Sequence, residues 1–187
     1  MKLTLSIITL VLLSFTIINK KSSRELTIYN NHYPTGISGG YSGAPNEANC
    51  TQCHSGSTQS GDGVNTLTLS QNGSNVSDYV PGQVYMVSLS TSASNVTRGF
   101  QAVVMNTSNQ VVGSVSAIAN ECVQVTSDRV THNQSNNTSC NSEWRWEWTA
   151  PSTDEGELTF YVSTLVGNGS FTSGDQVYLS QYTFGGV

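Results

Sequence analysis

The residues best suited to chemistry lie at positions 50–54, where the sequence reads Cys-Thr-Gln-Cys-His. This C-x-x-C-H pattern is the attachment motif of c-type haem. Two thiols three positions apart can each add across a porphyrin vinyl group, and the following histidine then lies where it can bind the iron. The pattern therefore predicts one covalent haem c, attached to Cys50 and Cys53, with His54 as the proximal iron ligand.

Three other interpretations of the two cysteines compete with haem. A thioredoxin-like redox pair requires a βαβ context, which the sequence lacks. Half of a zinc site requires further ligands at metal spacing, and the sequence contains no second C-x-x-C. A disulfide between Cys50 and Cys53 is sterically tight at this separation. The sequence favours haem over all three.

The residues alone leave the second axial iron ligand open among four candidates. Met86 and Met105 fall in predicted strands, where methionine more often fills a core. Met86 also alternates away from the apolar face of its strand. His32 lies in the irregular segment before the motif, and His132 follows the middle strands. An open, five-coordinate haem is the remaining alternative.

The other two cysteines, Cys122 and Cys140, bracket His132. In an exported chain they are the natural disulfide partners once haem has consumed Cys50 and Cys53. Such a bridge closes a loop of about 19 residues and contributes roughly 3 kcal/mol in the chain-entropy model. It would restrain a loop that presents His132 to iron, or it would be an ordinary stabilising bridge with His132 merely nearby.

The N-terminus and the composition together predict an exported protein. An apolar run over 3–18 follows Lys2, so residues 1–21 are interpreted as a signal peptide with an uncertain cleavage site. The run is short for a membrane span, and we expect none in the mature chain, although an uncleaved anchor is an alternative. Haem attachment outside the cytoplasm agrees with export to the periplasm, the cell surface or the medium. The net charge of −5 disfavours a nucleic-acid partner.

Beyond residue 63 the sequence has the two-residue periodicity of β-strands. Residues 22–63 are rich in Gly and Pro and are predicted to form an irregular haem-attachment segment, with one helical turn at 47–54. Residues 64–187 are predicted to form an antiparallel β-sandwich, an all-β fold of seven or eight strands. The predicted strands cover 64–69, 83–90, 99–106, 110–118, 121–131, 144–148, 158–165 and 176–184.

The segment Trp144-Arg145-Trp146-Glu147-Trp148 alternates strictly, with three indoles on one face. The usual explanation is a sheet core, and we favour it over contact with a porphyrin. Tyr33 and Tyr41 are further candidates to pack on a porphyrin.

Several segments together resemble the Reeler-like "choice-of-anchor V" β-sandwich proteins of bacterial surfaces. The matching segments are YSGAPNEANCTQCHSG at 41–56, YVPGQVY at 79–85, RGFQ at 98–101, WEWTAP at 146–151, FY at 160–161, GNG at 167–169 and SGD at 173–175. In that family a histidine usually precedes the W-T-A-P segment, and Thr131-His132 occupies this place. The resemblance thus implies His132 as the distal iron ligand. The Cys122–Cys140 pair is not part of the family pattern.

The sequence supports two functions from different classes. The first is an exported monohaem c-type cytochrome that transfers single electrons, with a low potential if His54 and His132 both bind the iron. The alternative is a structural or adhesive surface module, with or without self-assembly, in which haem is a brace or absent. We expect no enzymatic activity, and a peroxidase is disfavoured. The redox partner is not identified by the sequence.

Overall fold

The computed structural model describes residues 35–93, 97–133, 143–169 and 171–187. Within these ranges the chain forms a single turn of 3₁₀ helix, Cys50–Gln52, and twelve β-strands. The strands are β1 (Thr58–Ser60), β2 (Asn65–Gln71), β3 (Ser74–Val76), β4 (Asp78–Tyr79), β5 (Val84–Thr91), β6 (Thr97–Asn106), β7 (Ser114–Ala117), β8 (Val123–Thr126), β9 (Arg129–His132), β10 (Glu143–Thr149), β11 (Leu158–Gly167) and β12 (Gln176–Gly186).

The strands form two sheets, which confirms the predicted β-sandwich. The larger sheet has the order β1-β12-β11-β6-β9-β8, with β4 also paired to β12, and the smaller sheet has the order β3-β2-β5-β10-β7. The pairings are antiparallel except at β12, where the short strands β1 and β4 pair in parallel. Strand β1 precedes residue 64, so sheet pairing begins within the segment that was expected to be irregular.

The core between the sheets is rich in aromatic residues from β10. Trp144, Trp146 and Trp148 are no more than 1% exposed, while the intervening residues of the strand are exposed. Phe100 from the facing sheet packs on two of the indoles, with ring centroids 4.7 Å from Trp144 and 5.6 Å from Trp146. The three tryptophans therefore belong to the sandwich core, as their alternation indicates, rather than to a cofactor site.

Strand β6 is buried on both faces because the N-terminal segment, residues 35–57, covers the outer face of the larger sheet. Phe100 and Val104 point into the core between the sheets. Val103 and Met105 point outward and pack in a separate cluster with Ala44 from the N-terminal segment. The segment is thus a packed layer on the sandwich rather than a loose leader.

Polar contacts hold the N-terminal segment in place. The buried Gln101 side chain accepts a hydrogen bond from the Tyr41 backbone N–H (2.5 Å) and donates one to the Ile37 carbonyl (3.0 Å). Arg129 Nε donates to Glu47 Oε1 at 2.8 Å, and the two side chains are only 18% and 6% exposed. Since buried polar groups are costly without partners, these contacts favour one position of the segment on the sheet.

The predicted strand over 121–131 is wrong, because these residues form the β8–β9 hairpin. Its two turn residues, Ser127 and Asp128, have φ values of 48° and 64°. Positive φ at both positions is typical of a type I′ hairpin turn. The usual sequence signal for this turn is Asn-Gly or Asp-Gly. The Ser-Asp pair at this position lacks that signal, so the sequence did not predict the turn. Strand β7 is likewise shorter than the predicted 110–118, and Val111 makes only an isolated bridge to Met105.

In the part of the chain that the structure describes, no helix is both long enough and apolar enough to cross a membrane.

Candidate haem site

The C-x-x-C-H motif folds as a single tight turn. Asn49 caps it by accepting a hydrogen bond from the Thr51 backbone N–H (2.9 Å). The Cys50 carbonyl accepts hydrogen bonds from the N–H groups of Cys53 (3.3 Å) and His54 (3.0 Å). The turn therefore gathers both thiols and the imidazole, as the spacing predicts. The helical turn expected over 47–54 is shorter, because only Cys50–Gln52 are helical.

The Cys50 thiol faces the larger sheet. Ser163 Oγ on β11 lies 3.2 Å from the Cys50 sulfur, to which it donates a hydrogen bond. Burial raises the pKa of the Cys50 thiol to about 11, although the Ser163 hydrogen bond opposes the shift. Since thiolate is the form that attacks disulfides, the raised pKa of Cys50 disfavours a thioredoxin-like redox pair. A thioether to porphyrin carries no charge and fits this position.

His54 is oriented by a carboxylate from the loop before β12. Its Nδ1 lies 2.5 Å from Asp175 Oδ2, and the Asp175 side chain is fully buried. The other oxygen of this carboxylate accepts a hydrogen bond from the Asn168 N–H at 3.0 Å. Because Nδ1 is engaged, Nε2 is the ring nitrogen that remains for a metal. A metal-bound histidine usually makes such a bond through its second nitrogen.

His132 lies at the end of β9 against the edge of β6. Its Nδ1 accepts a hydrogen bond from the Phe100 N–H at 3.0 Å and lies 3.2 Å from the Phe100 carbonyl oxygen. The imidazole could bind iron through Nε2 only as the tautomer in which Nδ1 carries the hydrogen and donates it to this carbonyl. A Cβ at position 99 would come within 2.5 Å of His132 Cε1, so glycine at this position gives the ring its space.

One cleft is lined by Cys50, Cys53, His54 and His132. It lies between the N-terminal segment and the adjoining ends of β6, β9 and β11. The structure thus brings the attachment motif together with the histidine that the family resemblance implied. Apolar residues that line the cleft on its outer side are Ile37, Tyr41 and Leu165.

The residues present fit a c-type haem. Cys50 and Cys53 are free thiols, and two histidines line the same cleft. The enclosed volume is about 90 Å³, far below the roughly 300–1,000 Å³ of pockets that bury a whole ligand. A porphyrin attached here would accordingly be only partly enclosed by the cleft. Among the described residues no three His, Cys, Asp or Glu side chains cluster as metal ligands, and a porphyrin, which supplies four nitrogens itself, requires no such cluster.

The remaining predicted site residues lie elsewhere. Met86 is on the outer face of the smaller sheet, and Met105 is buried beneath the N-terminal segment, so neither lines the cleft. His32 and Cys140 lie outside the described residues. The Cys122–Cys140 disulfide therefore stays a prediction.

Asp175 and Ser163 are the residues of the site that the sequence did not reveal. Ser173-Gly174-Asp175 is recognisable as a turn, but its distance along the chain from His54 hides the pairing. Ser163 lies within a run typical of a strand, and nothing in that run singles it out.

The fold and the cleft together define a β-sandwich module with a candidate cofactor site. The sequence matches the Reeler domain family over residues 48–172, and the chain belongs to this family. Among solved structures it is similar to the human F-spondin reeler domain (TM-score 0.52, 19% identity), covering 69% of this chain and 94% of that one. It is also similar to the Reelin-N domain of F-spondin (TM-score 0.53, 19% identity), covering 72% and 94%. These likenesses show the fold. Comparison with curated proteins gave no match.

Proposed function

We propose that this chain is an exported Reeler-fold surface module that carries one covalent c-type haem and uses it for one-electron transfer. The observation that carries the haem assignment is the single cleft lined by Cys50, Cys53, His54 and His132. Membership of the Reeler family supports the surface-module class and says nothing of redox activity. The signal-like N-terminus supports export.

Each residue of the cleft has a defined task in this proposal. Cys50 and Cys53 would anchor the haem through thioethers, and His54 and His132 would be the histidines that hold its iron. The bound haem supplies the one-electron couple of iron. His132 would fill the distal position, which makes the chain an electron carrier rather than a peroxidase.

The exposure of the site supports exchange of electrons with a partner. Cys53 is exposed, and the His54 side chain is 21% exposed. The cleft is too small to enclose a whole porphyrin, so a redox partner could approach its edge directly. The identity of that partner is left open, and a second copy of this chain is one candidate.

The second candidate function is a structural or adhesive surface module in which haem is a brace or absent. Family membership favours this class. The contacts of the N-terminal segment weigh against a brace, because Gln101 and the Glu47–Arg129 pair already hold it on the sheet. A segment anchored in this way needs no haem to keep its place.

The haem assignment is tested by producing the full chain together with a cytochrome c maturation system. We expect an intact mass increased by one haem and a sharp α-band after reduction. The matched control is the double variant Cys50→Ser/Cys53→Ser, which should bind no covalent haem. A wild-type chain without added haem mass would contradict the proposal. The structural or adhesive module would then be the remaining candidate function.

The distal ligand is tested by His132→Ala in the haem-loaded chain. Loss of the sixth ligand should convert a low-spin spectrum to a high-spin one. Met86→Ala and Met105→Ala serve as controls, because neither side chain lines the cleft, and both should keep the wild-type spectrum. An unchanged spectrum in His132→Ala would show that another group binds the distal face.

A further inference from the structure

Both oxygens of the buried Asp175 carboxylate, which contacts His54, have a hydrogen-bond partner. Asp175 Oδ2 lies 2.5 Å from His54 Nδ1, and its Oδ1 accepts the Asn168 N–H at 3.0 Å. The same loop is tied to the residue after His54, since the N–H and Oγ of Ser55 both donate to the Thr172 carbonyl at 2.8 and 2.9 Å. The carboxylate and the imidazole are therefore fixed relative to each other from both sides.

We propose that Asp175 is the positioning residue for His54, fixing the hydrogen on Nδ1, directing Nε2 into the cleft and lowering the reduction potential of the haem. The inference rests on the proposed function. Carboxylate partners of metal-bound histidines fix the ring tautomer and make the ligand more basic. A more basic ligand stabilises ferric iron relative to ferrous iron, so the potential falls.

The two histidines are consequently set by different means. The Nδ1 of His54 meets a buried anion, whereas the Nδ1 of His132 lies beside the backbone N–H and carbonyl of Phe100. A full charge polarises an imidazole more strongly than a backbone dipole.

The first test is the reduction potential of the haem-loaded full chain with Asp175→Asn. The amide keeps the side-chain volume and an acceptor for the Asn168 N–H but removes the negative charge. We expect the potential to rise relative to the wild type. An unchanged potential with intact haem content would overturn the proposal.

Asp154→Asn is the matched control. Asp154 Oδ1 accepts hydrogen bonds from the Gly156 N–H (2.8 Å) and the Tyr79 hydroxyl (3.2 Å), in a loop whose residues do not line the cleft. The substitution at Asp154 should lower thermal stability and leave the reduction potential of the haem unchanged. An equal rise in both variants would mean that Asp175 acts only through general stability, which contradicts a positioning role.

A second readout is independent of haem loading. In the reduced, haem-free full chain at about pH 9, where a histidine is ordinarily neutral, ¹⁵N NMR should find the His54 hydrogen on Nδ1. Asp175→Asn should move this hydrogen toward Nε2. Hydrogen on Nε2 in the wild type would overturn the proposal even if Asp175→Asn fails to fold. Failure of the wild type to bind haem would overturn the proposed function and the effect on the potential, while the tautomer would still decide whether Asp175 positions His54.

Discussion

The two outer faces of the sandwich differ in what covers them. The outer face of the larger sheet lies under the N-terminal segment, so Gln101, Val103 and Met105 of β6 are all buried there. On the outer face of the smaller sheet, Arg145 and Glu147 of β10 are exposed. The cleft with the cysteines and histidines lies at the edge of the covered face. The open face also has a concavity, next to Met86 and Glu147. What the second layer of chain adds is therefore the set of chemical groups, Cys50, Cys53 and His54, that it brings to the sheet.

The difference between the two faces is visible in the strands themselves. Strand β10 alternates between tryptophan and charged residues because only one of its faces is buried. Strand β6 contains the nearly unbroken run Phe-Gln-Ala-Val-Val-Met, as expected for a strand buried on both faces. A continuous apolar run in a sandwich strand therefore indicates that something covers its outer side.

The largest expected difference is between the two methionines, one on each outer face. Met105→Ala removes a side chain that is 5% exposed and leaves a cavity under the N-terminal segment. It should cost about 2–5 kcal/mol of unfolding free energy. Met86→Ala, on the open face, should cost less than about 1 kcal/mol. Urea unfolding of both variants measures this, and equal losses would refute the covering layer.

The two ion pairs give a second, smaller contrast. Glu47→Ala leaves the largely buried Arg129 guanidinium without its carboxylate partner. It should lower the free energy of unfolding by about 2–3 kcal/mol. Arg145→Ala breaks the Glu143 pair on the open face, where both side chains are 45% exposed. It should change stability by about 0–1 kcal/mol. A loss in Arg145→Ala as large as that in Glu47→Ala would remove the distinction between the faces.

Gln101 offers a local test of how the N-terminal segment is held. Gln101→Ala leaves the Tyr41 N–H and the Ile37 carbonyl without this partner, at a cost of about 2 kcal/mol. Amide hydrogen exchange should accelerate within 35–57 more than in β10. The control Ser88→Ala, on the open face, should leave exchange unchanged. Uniform acceleration across both sheets would indicate general destabilisation instead.

The smallest effect concerns the two thiols of the haem-free chain, one facing the covered sheet and one exposed. Burial raises the pKa of Cys50 from 9.0 to about 11. Between these values the folded thiol holds a proton that the unfolded chain has lost, so stability should fall as pH rises through this window. Cys50→Ser should reduce the fall. Alkylation at about pH 8 should modify the accessible Cys53 before Cys50; the reverse order would contradict the burial of Cys50.

The sequence predicted those features whose signals are local. The alternation of β10, the apolar face of β5 and the C-x-x-C-H turn each depend on neighbouring residues, and the structure bears them out. The cover on β6 was not predicted, although its apolar run was visible. The polar contacts that hold this cover join residues 60 to 82 positions apart and have no periodic pattern.

The candidate site also contains residues that the sequence indicated and residues that it did not. His132 was singled out by family resemblance, and the structure places it in the cleft with the motif. Asp175 escaped because its pairing with His54 spans 121 positions and depends on the final arrangement of the loop before β12. Long-range pairs of this kind are set by tertiary packing, for which a single sequence holds no spacing rule.

The parallel pairing of β1 and β4 with β12 has a consequence for the order of folding. Both early strands, and the carboxylate that clasps His54, depend on the last part of the chain to be synthesised. Contacts so distant in sequence form late. In a chain that crosses a membrane with its N-terminus first, Cys50 and Cys53 would emerge before the residues of β11 and β12 that pack near them. If the chain carries haem as proposed above, that delay would leave both thiols accessible to an attachment enzyme until β12 has paired with its neighbours.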